Sequence, residues 1–401
     1  MRTRAAMIPA VLLLIACGQA APSVASSSTA PLSPAAGTTP TQITTPATTP
    51  TSTPTIATAG QPVTFGCQPA PGSDPLVLAM EGVGGANTYL TVLDVANPTQ
   101  PRSICDIRPT AGGRFLSNGQ VAFWTRDQEL GTADLATGTV TITGHVSHVI
   151  GGGAFSRDGS VFAYRSTDPG GTLTLYMHYL DGSERLLLSR PPVGGHGGPV
   201  GGPTSALSFS PDGQHLLSYD LFITPDDPTP HFEVFSLTGT VEMKGDYSMG
   251  TWSPSSGASL FYLRPAQPGR FDDGDIYDWT PGVADGQLYA GVPSYDWPTW
   301  VSGAPIYFTA YDGSGYPHLW VIGRFGMSQV STTQSSHPFV VGGYVWSDQE
   351  RPCQCGPGGN STPTGKVVAR NTSSGVETVI DLPLVAPYSD PIFPLLDYRG
   401  P

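Results

Sequence analysis

Charge is scarce in this chain: Asp, Glu, Lys and Arg make up 12% of its residues, about half the usual share. Basic residues are the scarcer sign, 18 Lys and Arg against 31 Asp and Glu, giving a formal net charge of -13. No Lys/Arg cluster is present, which argues against nucleic acid as a partner and against polybasic contact with a membrane surface. Uninterrupted stretches are also missing. After Gly60, Gly and Pro recur so closely that helices of ordinary length have little room. No His-Glu-x-x-His, phosphate loop or dinucleotide fingerprint occurs. A Gly-x-Ser-x-Gly elbow is absent as well, since Ser248 is followed by Gly250 but has Asp246 where the first glycine belongs.

The longest apolar run, Ala5 to Ala16, is too short to cross a bilayer, which takes roughly 20 residues. With Arg2 and Arg4 before it, residues 1–16 read as an export signal. The run ends in Leu14-Ile15-Ala16-Cys17-Gly18, which resembles the bacterial lipobox. That resemblance implies lipidation at Cys17, which would become the mature N-terminus. The acyl chains would then hold the protein on a bacterial membrane from its extracytoplasmic side.

Residues 17–60 are nearly all Ala, Ser, Thr, Pro and Gln, without a charged residue. With so little apolar surface to bury, this segment cannot offset its ordering entropy and reads as a disordered tether or stalk. Residues 61–401 form the folded part, too long for a usual single core and without a composition break. A closed repeat architecture fits that length.

Short β-branched and aromatic runs recur through it: Tyr89 to Val95, Leu173 to Leu180, Phe232 to Leu237, Ile306 to Tyr311 and Val367 to Arg370. A unit repeats as well. Phe155-Ser-Arg-Asp-Gly and Phe209-Ser-Pro-Asp-Gly align without gaps, Trp252-Ser-Pro-Ser-Ser-Gly is a looser copy, and fainter ones start at Phe115 and Trp300. The starts are 40 to 54 residues apart, close to the period of four-stranded propeller blades. These residues resemble TolB-like β-propeller repeats, which implies an all-β fold. Adding a leading unit at Leu76 to Ile107 and a trailing one at Phe339 to Leu382 gives seven blades, with six or eight as alternatives. TolB itself has an α/β domain where this chain has a lipidation signal and a tether, so a Tol-system role does not carry over.

Four cysteines besides Cys17 suggest two disulfides in an exported protein: Cys67, Cys105, Cys353 and Cys355. Three pairings are open, and Cys353-Gln-Cys355 is too tight for an unstrained bridge of its own. A bridge from Cys67 or Cys105 to Cys353 or Cys355 would staple the ends of the propeller. A zinc site is the alternative, though the Cys-x-Cys lacks a companion pair at ligand spacing.

In a four-stranded blade the first-to-second and third-to-fourth turns share one end, and the second-to-third loops and blade links share the other. Tight Asp-Gly and Thr-Gly turns fall at the first end. Long insertions fall at the second: Pro191 to Thr204, Thr224 to His231, Pro265 to Gly274 and Asp348 to Thr364. Long loops on a rigid scaffold carry function disproportionately, so the second end is the expected partner face, with Asp226, Asp227, Asp272, Asp273, Asp275 and His196 as its candidates. No cofactor motif appears. Calcium is suggested by Asp272-Asp273-Gly274-Asp275, which nonetheless lacks the EF-hand loop. His145 and His148 have no third ligand nearby in sequence. The leading functional reading is a non-enzymatic envelope module that binds or scaffolds a protein or small ligand. A propeller hydrolase or lyase with scattered site residues at the channel mouth is the alternative.

Cells supplied with a labelled fatty acid should incorporate it into the wild-type protein and not into Cys17→Ala. Equal labelling of the two would refute lipidation at Cys17.

Overall fold

A computed structural model describes residues 64–67, 75–83, 87–108, 110–125, 127–148, 150–190, 205–220, 231–253, 258–265, 274–284, 286–292, 296–300, 306–312, 316–323, 326–352, 361–383 and 395–399. No helix occurs among them; the described chain is strand, turn and connection. Strand β1 (Thr64–Cys67) precedes β2 (Leu76–Val83), β3 (Asn87–Asp94) and β4 (Arg102–Arg108), which belong to blade 1. Blade 2 is β5 (Gly112–Phe115), β6 (Val121–Trp124), β7 (Glu129–Asp134) and β8 (Thr139–His145). Blade 3 is β9 (Gly152–Phe155), β10 (Val161–Thr167), β11 (Leu173–Tyr179) and β12 (Glu184–Arg190). Blade 4 is β13 (Ser205–Phe209), β14 (His215–Asp220), β15 (His231–Ser236) and β16 (Val241–Gly245). Blade 5 is β17 (Ser248–Trp252), β18 (Leu260–Pro265), β19 (Gly274–Trp279) and β20 (Gln287–Val292). Blade 6 is β21 (Asp296–Trp300), β22 (Ile306–Tyr311), β23 (Pro317–Gly323) and β24 (Gly326–Gln329). Blade 7 is β25 (Ser335–Val341), β26 (Tyr344–Pro352), β27 (Ser361–Asn371) and β28 (Glu377–Ile380), and β29 (Leu395–Arg399) follows it.

Every ladder within these sheets is antiparallel, as hairpin connections dictate. The chain is a seven-bladed β-propeller. The first strand of each blade is innermost: β29 touches β5, β5 touches β9, β9 touches β13, β17 touches β21 and β21 touches β25. Burial grades outward accordingly, from the wholly buried β6 to the mostly exposed β8.

The repeated Phe-Ser-x-Asp-Gly unit ends the inner strands of blades 3 and 4 and turns into the next strand. In blade 4, Ser210 Oγ donates to Asp212 Oδ1 at 2.5 Å and accepts from the His215 amide at 3.0 Å. Asp212 Oδ1 also accepts from the Gln214 amide at 3.0 Å, and Gly213 takes φ of 72°, a region that resists side chains. Blade 3 repeats the arrangement with Ser156, Asp158 and Gly159. The aromatic before each turn is the wedge between blades: Phe115 lies in the core shared by blades 1 and 2, Phe155 in that of blades 2 and 3, Phe209 in that of 3 and 4, and Trp252 in that of 4 and 5. Between blades 2 and 3 the wedge extends into a stack. The Trp124 and Phe162 rings are 5.4 Å apart, and Phe155 and Phe162 4.6 Å. Glycine makes room for it, because a Cβ on Gly153 would come within 2.4 Å of the Phe162 ring.

Blade 1 corrects the sequence reading in one respect. The unit from Leu76 to Ile107 supplies three strands, and the inner strand is β29, which lies beyond the trailing unit that ends at Leu382. Leu76 faces Arg399 and Leu78 faces Asp397 across that ladder. The ring is therefore closed by backbone hydrogen bonds between the two ends of the propeller. Side chains fix the closure: the Phe115 amide donates to Asp397 Oδ2 at 2.9 Å, and Arg399 Nη1 donates to the Gly119 carbonyl at 2.7 Å. Arg114, nearly buried, continues the stitch by donating to the Phe155 carbonyl of blade 3 at 2.9 Å. On the opposite edge of blade 1, β1 adds a fifth strand against β4. Two expected insertions are also shorter than read, since Pro265 pairs with Gly274 and Pro352 with Ser361.

Removing the aromatic wedge between blades 2 and 3 should be costly. Phe162→Ala should lower unfolding free energy by about 3–5 kcal/mol, read from an equilibrium urea titration; a loss below about 1 kcal/mol would contradict a cavity in a shared core.

Candidate functional site

Carboxylates complete turns at both ends of the ring: at the second end Asp168 accepts from the Thr172 amide at 2.7 Å and Asp312 from the Tyr316 amide at 3.0 Å. At the first end, Asp134 accepts from the Ala136 and Thr137 amides at 2.8 and 3.1 Å, and Asp181 from the Ser183 amide at 2.9 Å. Asp158 is held below the ordinary carboxylate value: burial pushes it upward, but hydrogen bonds from Ser156 and Ser160 outweigh that. Such groups are already committed to shaping the backbone.

The second end also carries buried charge. In blades 3 and 4, Arg165 of β10 is 4% exposed and donates to Ser218 Oγ at 3.0 Å and the Tyr219 carbonyl at 2.7 Å. Beside it in the fold, Glu233 of β15 is 2% exposed and receives Arg190 Nη2 on both oxygens, at 2.5 and 2.7 Å. Lys244 Nζ approaches at 3.9 Å. Cation and carboxylate match here, which makes this group a clamp between neighbouring blades.

Blade 7 is different in kind. At the second end of β25, the chain bulges between Ser336 and Phe339, and His337 takes φ of 53°, a strained backbone for a residue with a side chain. The His337 amide donates to Thr309 Oγ1 of blade 6 at 3.0 Å, which ties the bulge to its neighbour. His337 Nδ1 lies 3.1 Å from Asp348 Oδ2 and 3.1 Å from Ser336 Oγ. Ser336 Oγ donates to Glu350 Oε1 at 2.6 Å. Since one ring nitrogen faces both the hydroxyl and Asp348, His337 cannot relay a proton from Ser336 to Asp348 across its ring. The arrangement is thus not a nucleophile triad. It is two buried carboxylates, 7% and 9% exposed, against one imidazole. Desolvation raises the Asp348 carboxyl above its ordinary value, opposed by His337 and reinforced by the nearby Glu350 charge.

Among the described residues, the core between blades 6 and 7 includes Tyr307, Leu319 and Val345, with Val321, Val330 and Val340 packed against it, while Thr309, Ser331, Ser335, Ser336 and Ser347 are buried on the same two blades. The buried side-chain atoms without a hydrogen-bond partner among the described residues, His318 Nδ1, Trp320 Nε1, Gln334 Oε1 and Trp346 Nε1, also all belong to blade 6, blade 7 or their link. Buried unpaired polar atoms are uncommon and costly, so their concentration on these blades marks them out.

Of the sequence candidates, Asp275 lies in β19, exposed, opposite Arg264. Asp226, Asp227, Asp272, Asp273 and His196 lie outside the described residues, as do Cys17, Cys353 and Cys355. Among the described residues no group of three or more His, Cys, Asp or Glu could hold a metal ion. His148 stacks on Tyr176 at 4.5 Å, and both it and His145 are exposed. Ser336, His337, Asp348 and Glu350 were not legible as a group, because Asp348 reads in sequence as the start of an insertion; the alternation Asp348-x-Glu350 directly after Val345-Trp346 was the available signal that the strand continues.

The Asp348 environment predicts a pH effect with a definite sign. A carboxyl whose folded value is raised binds more protons folded than unfolded within the window between the two values, so its contribution to stability falls as pH rises through that window. Asp348→Asn keeps an acceptor for His337 and removes the charge. Wild type should therefore lose stability relative to Asp348→Asn as pH is raised from the ordinary carboxylate value upward, in paired denaturant titrations. A difference independent of pH would show that Asp348 ionises without penalty.

No protein-family model and no curated protein matches the chain. Among solved structures the chain is similar to TolB from Acinetobacter baumannii, with 14% identity over 64% of each chain and a TM-score of 0.41. It is similar to the β-propeller domain of the Trilobed protease from Pyrococcus furiosus, at 12% identity over 79% of this chain and 100% of that one, TM-score 0.43. It is also similar to oligogalacturonate lyase from Vibrio parahaemolyticus, at 11% identity over 79% of this chain and 96% of that one, TM-score 0.48. The chain thus spans just under two thirds of TolB. At such identities and TM-scores these likenesses carry no reading of function.

Proposed function

We propose that this chain is an extracytoplasmic, lipid-anchored lipoprotein, displayed on a bacterial membrane by Cys17 and its tether. Its propeller binds or scaffolds an envelope protein or a small ligand through the long-loop end. The observation that carries the reading is the buried charge at the second end, where blade 7 sets Asp348 and Glu350 beside a single imidazole, His337. The acidic loops holding Asp226, Asp227, Asp272 and Asp273 leave the same end of blades 4 and 5. A ligand that presents an ammonium or guanidinium group suits such a face, and charge-based attraction of this kind weakens with salt.

One observation favours a second reading. Asp348 and Glu350 are neighbouring buried carboxyl groups of blade 7, and desolvation raises the Asp348 carboxyl. Two carboxyl groups in different environments can supply a general acid and a general base. Under this reading the protein is a propeller hydrolase or lyase, and Asp348→Asn or Glu350→Gln would abolish turnover of an extracellular carbohydrate, peptide or lactone while leaving its binding intact.

The binding reading is tested by capture of ligand on the full chain. Replacing Asp226, Asp227, Asp272, Asp273 and Asp275 together by Asn should reduce capture by about ten-fold or more, and the loss should mimic that caused by added salt. Replacing Asp134 and Asp181, at the other end, should leave capture unchanged. Equal capture by all three proteins would overturn the assignment of the face.

A further inference from the structure

We propose that Cys67 and Cys105 are joined by a disulfide that fastens β1 to the outer edge of blade 1. The two residues are register partners in the β1–β4 ladder, directly opposite one another. Opposed residues in an antiparallel pair have Cα atoms about 4.5–5.5 Å apart, with both Cβ atoms on the same face. That spacing falls inside the range of about 4.4–6.8 Å in which a disulfide closes without moving the backbone. Cys105 is 2% exposed and packs with Leu90, Val92, Ile107 and Phe115, in the core between blades 1 and 2. A cystine is apolar and compact enough for the rim of that core.

The strand that benefits is a short edge strand. β1 has four residues and one neighbour, β4, so its backbone ladder alone gives it little independent stability. It is also the strand through which residues 17–60 join the propeller. Tension on the tether would peel an unstapled β1 from β4 one hydrogen bond at a time. A Cys67–Cys105 bond carries the same tension into β4, which is paired along its length with β3. The pairing also separates this bond from Cys353 and Cys355, so neither of those holds the N-terminal side of the propeller.

The chemistry balances simply. Two thiols give up two protons and two electrons to a disulfide-bearing oxidant of the thiol–disulfide exchange class, which leaves as two thiols. Such an oxidant belongs to extracytoplasmic compartments, so formation of the bond in the cell rests on the export reading, whereas its geometry does not.

The test uses the full-length protein in two preparations. Purified chain is treated with oxidised glutathione, digested without reduction and mapped by mass spectrometry; separately, cells are treated with an alkylating reagent before lysis and the same map is made. The expected result is a Cys67–Cys105 bridged peptide in both. Hydrogen exchange should then show the amides of residues 64–67 opening about ten-fold faster or more after reduction, with Cys67→Ala behaving like the reduced protein. A bridged peptide from the glutathione-treated chain alone, with both thiols alkylated in cells, supports the pairing and overturns export. Failure to form the Cys67–Cys105 peptide with glutathione, or a bridge from either residue to Cys353 or Cys355, overturns the pairing.

Discussion

Closure of the ring is the constraint on which the remaining structure depends. A sheet in a propeller buries both faces against its neighbours, so each of the seven blades needs a partner on either side, and an open ring would expose two apolar faces. Blade 1 meets that demand by assembling its strands from both ends of the propeller, β29 inside and β2 to β4 outside. The cores it shares with blade 2 and with blade 7, which include Leu76, Leu78, Val77 and Ala79 of β2, exist only once β29 has taken its place beside β2.

Given that closure, the rest follows from a repeated local solution. In blades 3 and 4 the inner strand ends in an aromatic that wedges against the adjoining blade, followed by a turn whose serine and aspartate satisfy the backbone and whose glycine turns it back. The hydroxyl–carboxylate pairs are small and local, so they survive sequence drift around them. This is why the repeat was legible: a Ser-Pro-Asp-Gly turn has a mechanical reason at each position. The five strands expected from composition all appear, because β-branched and aromatic runs bounded by Gly or Pro leave few other conformations.

What could not be read has equally physical reasons. β29, Leu-Leu-Asp-Tyr-Arg, resembles any short strand, and its importance comes from a partner at the far end of the propeller rather than from its own residues. The blade 7 group was hidden because a polar strand end and a polar loop look alike in sequence; only the register of β26 with β27 separates them. Burying Asp348 and Glu350 there works against stability, since both must be desolvated while one imidazole faces Asp348 and a hydroxyl faces Glu350. Blades 3 and 4 solve the same problem with matched arginines, so the fold did not require the mismatch.

The route of the chain through blade 1 also fixes an order of events during synthesis. As the protein emerges, β2, β3 and β4 appear first, and the inner edge of β2 has no strand to meet until residues 395–399 follow. For most of translation the nascent propeller is therefore an arc with an apolar, hydrogen-bond-hungry margin, the kind of edge that invites mispairing or capture by a chaperone. A product that stops before residue 395 keeps that margin unpaired, however many of the other blades have formed.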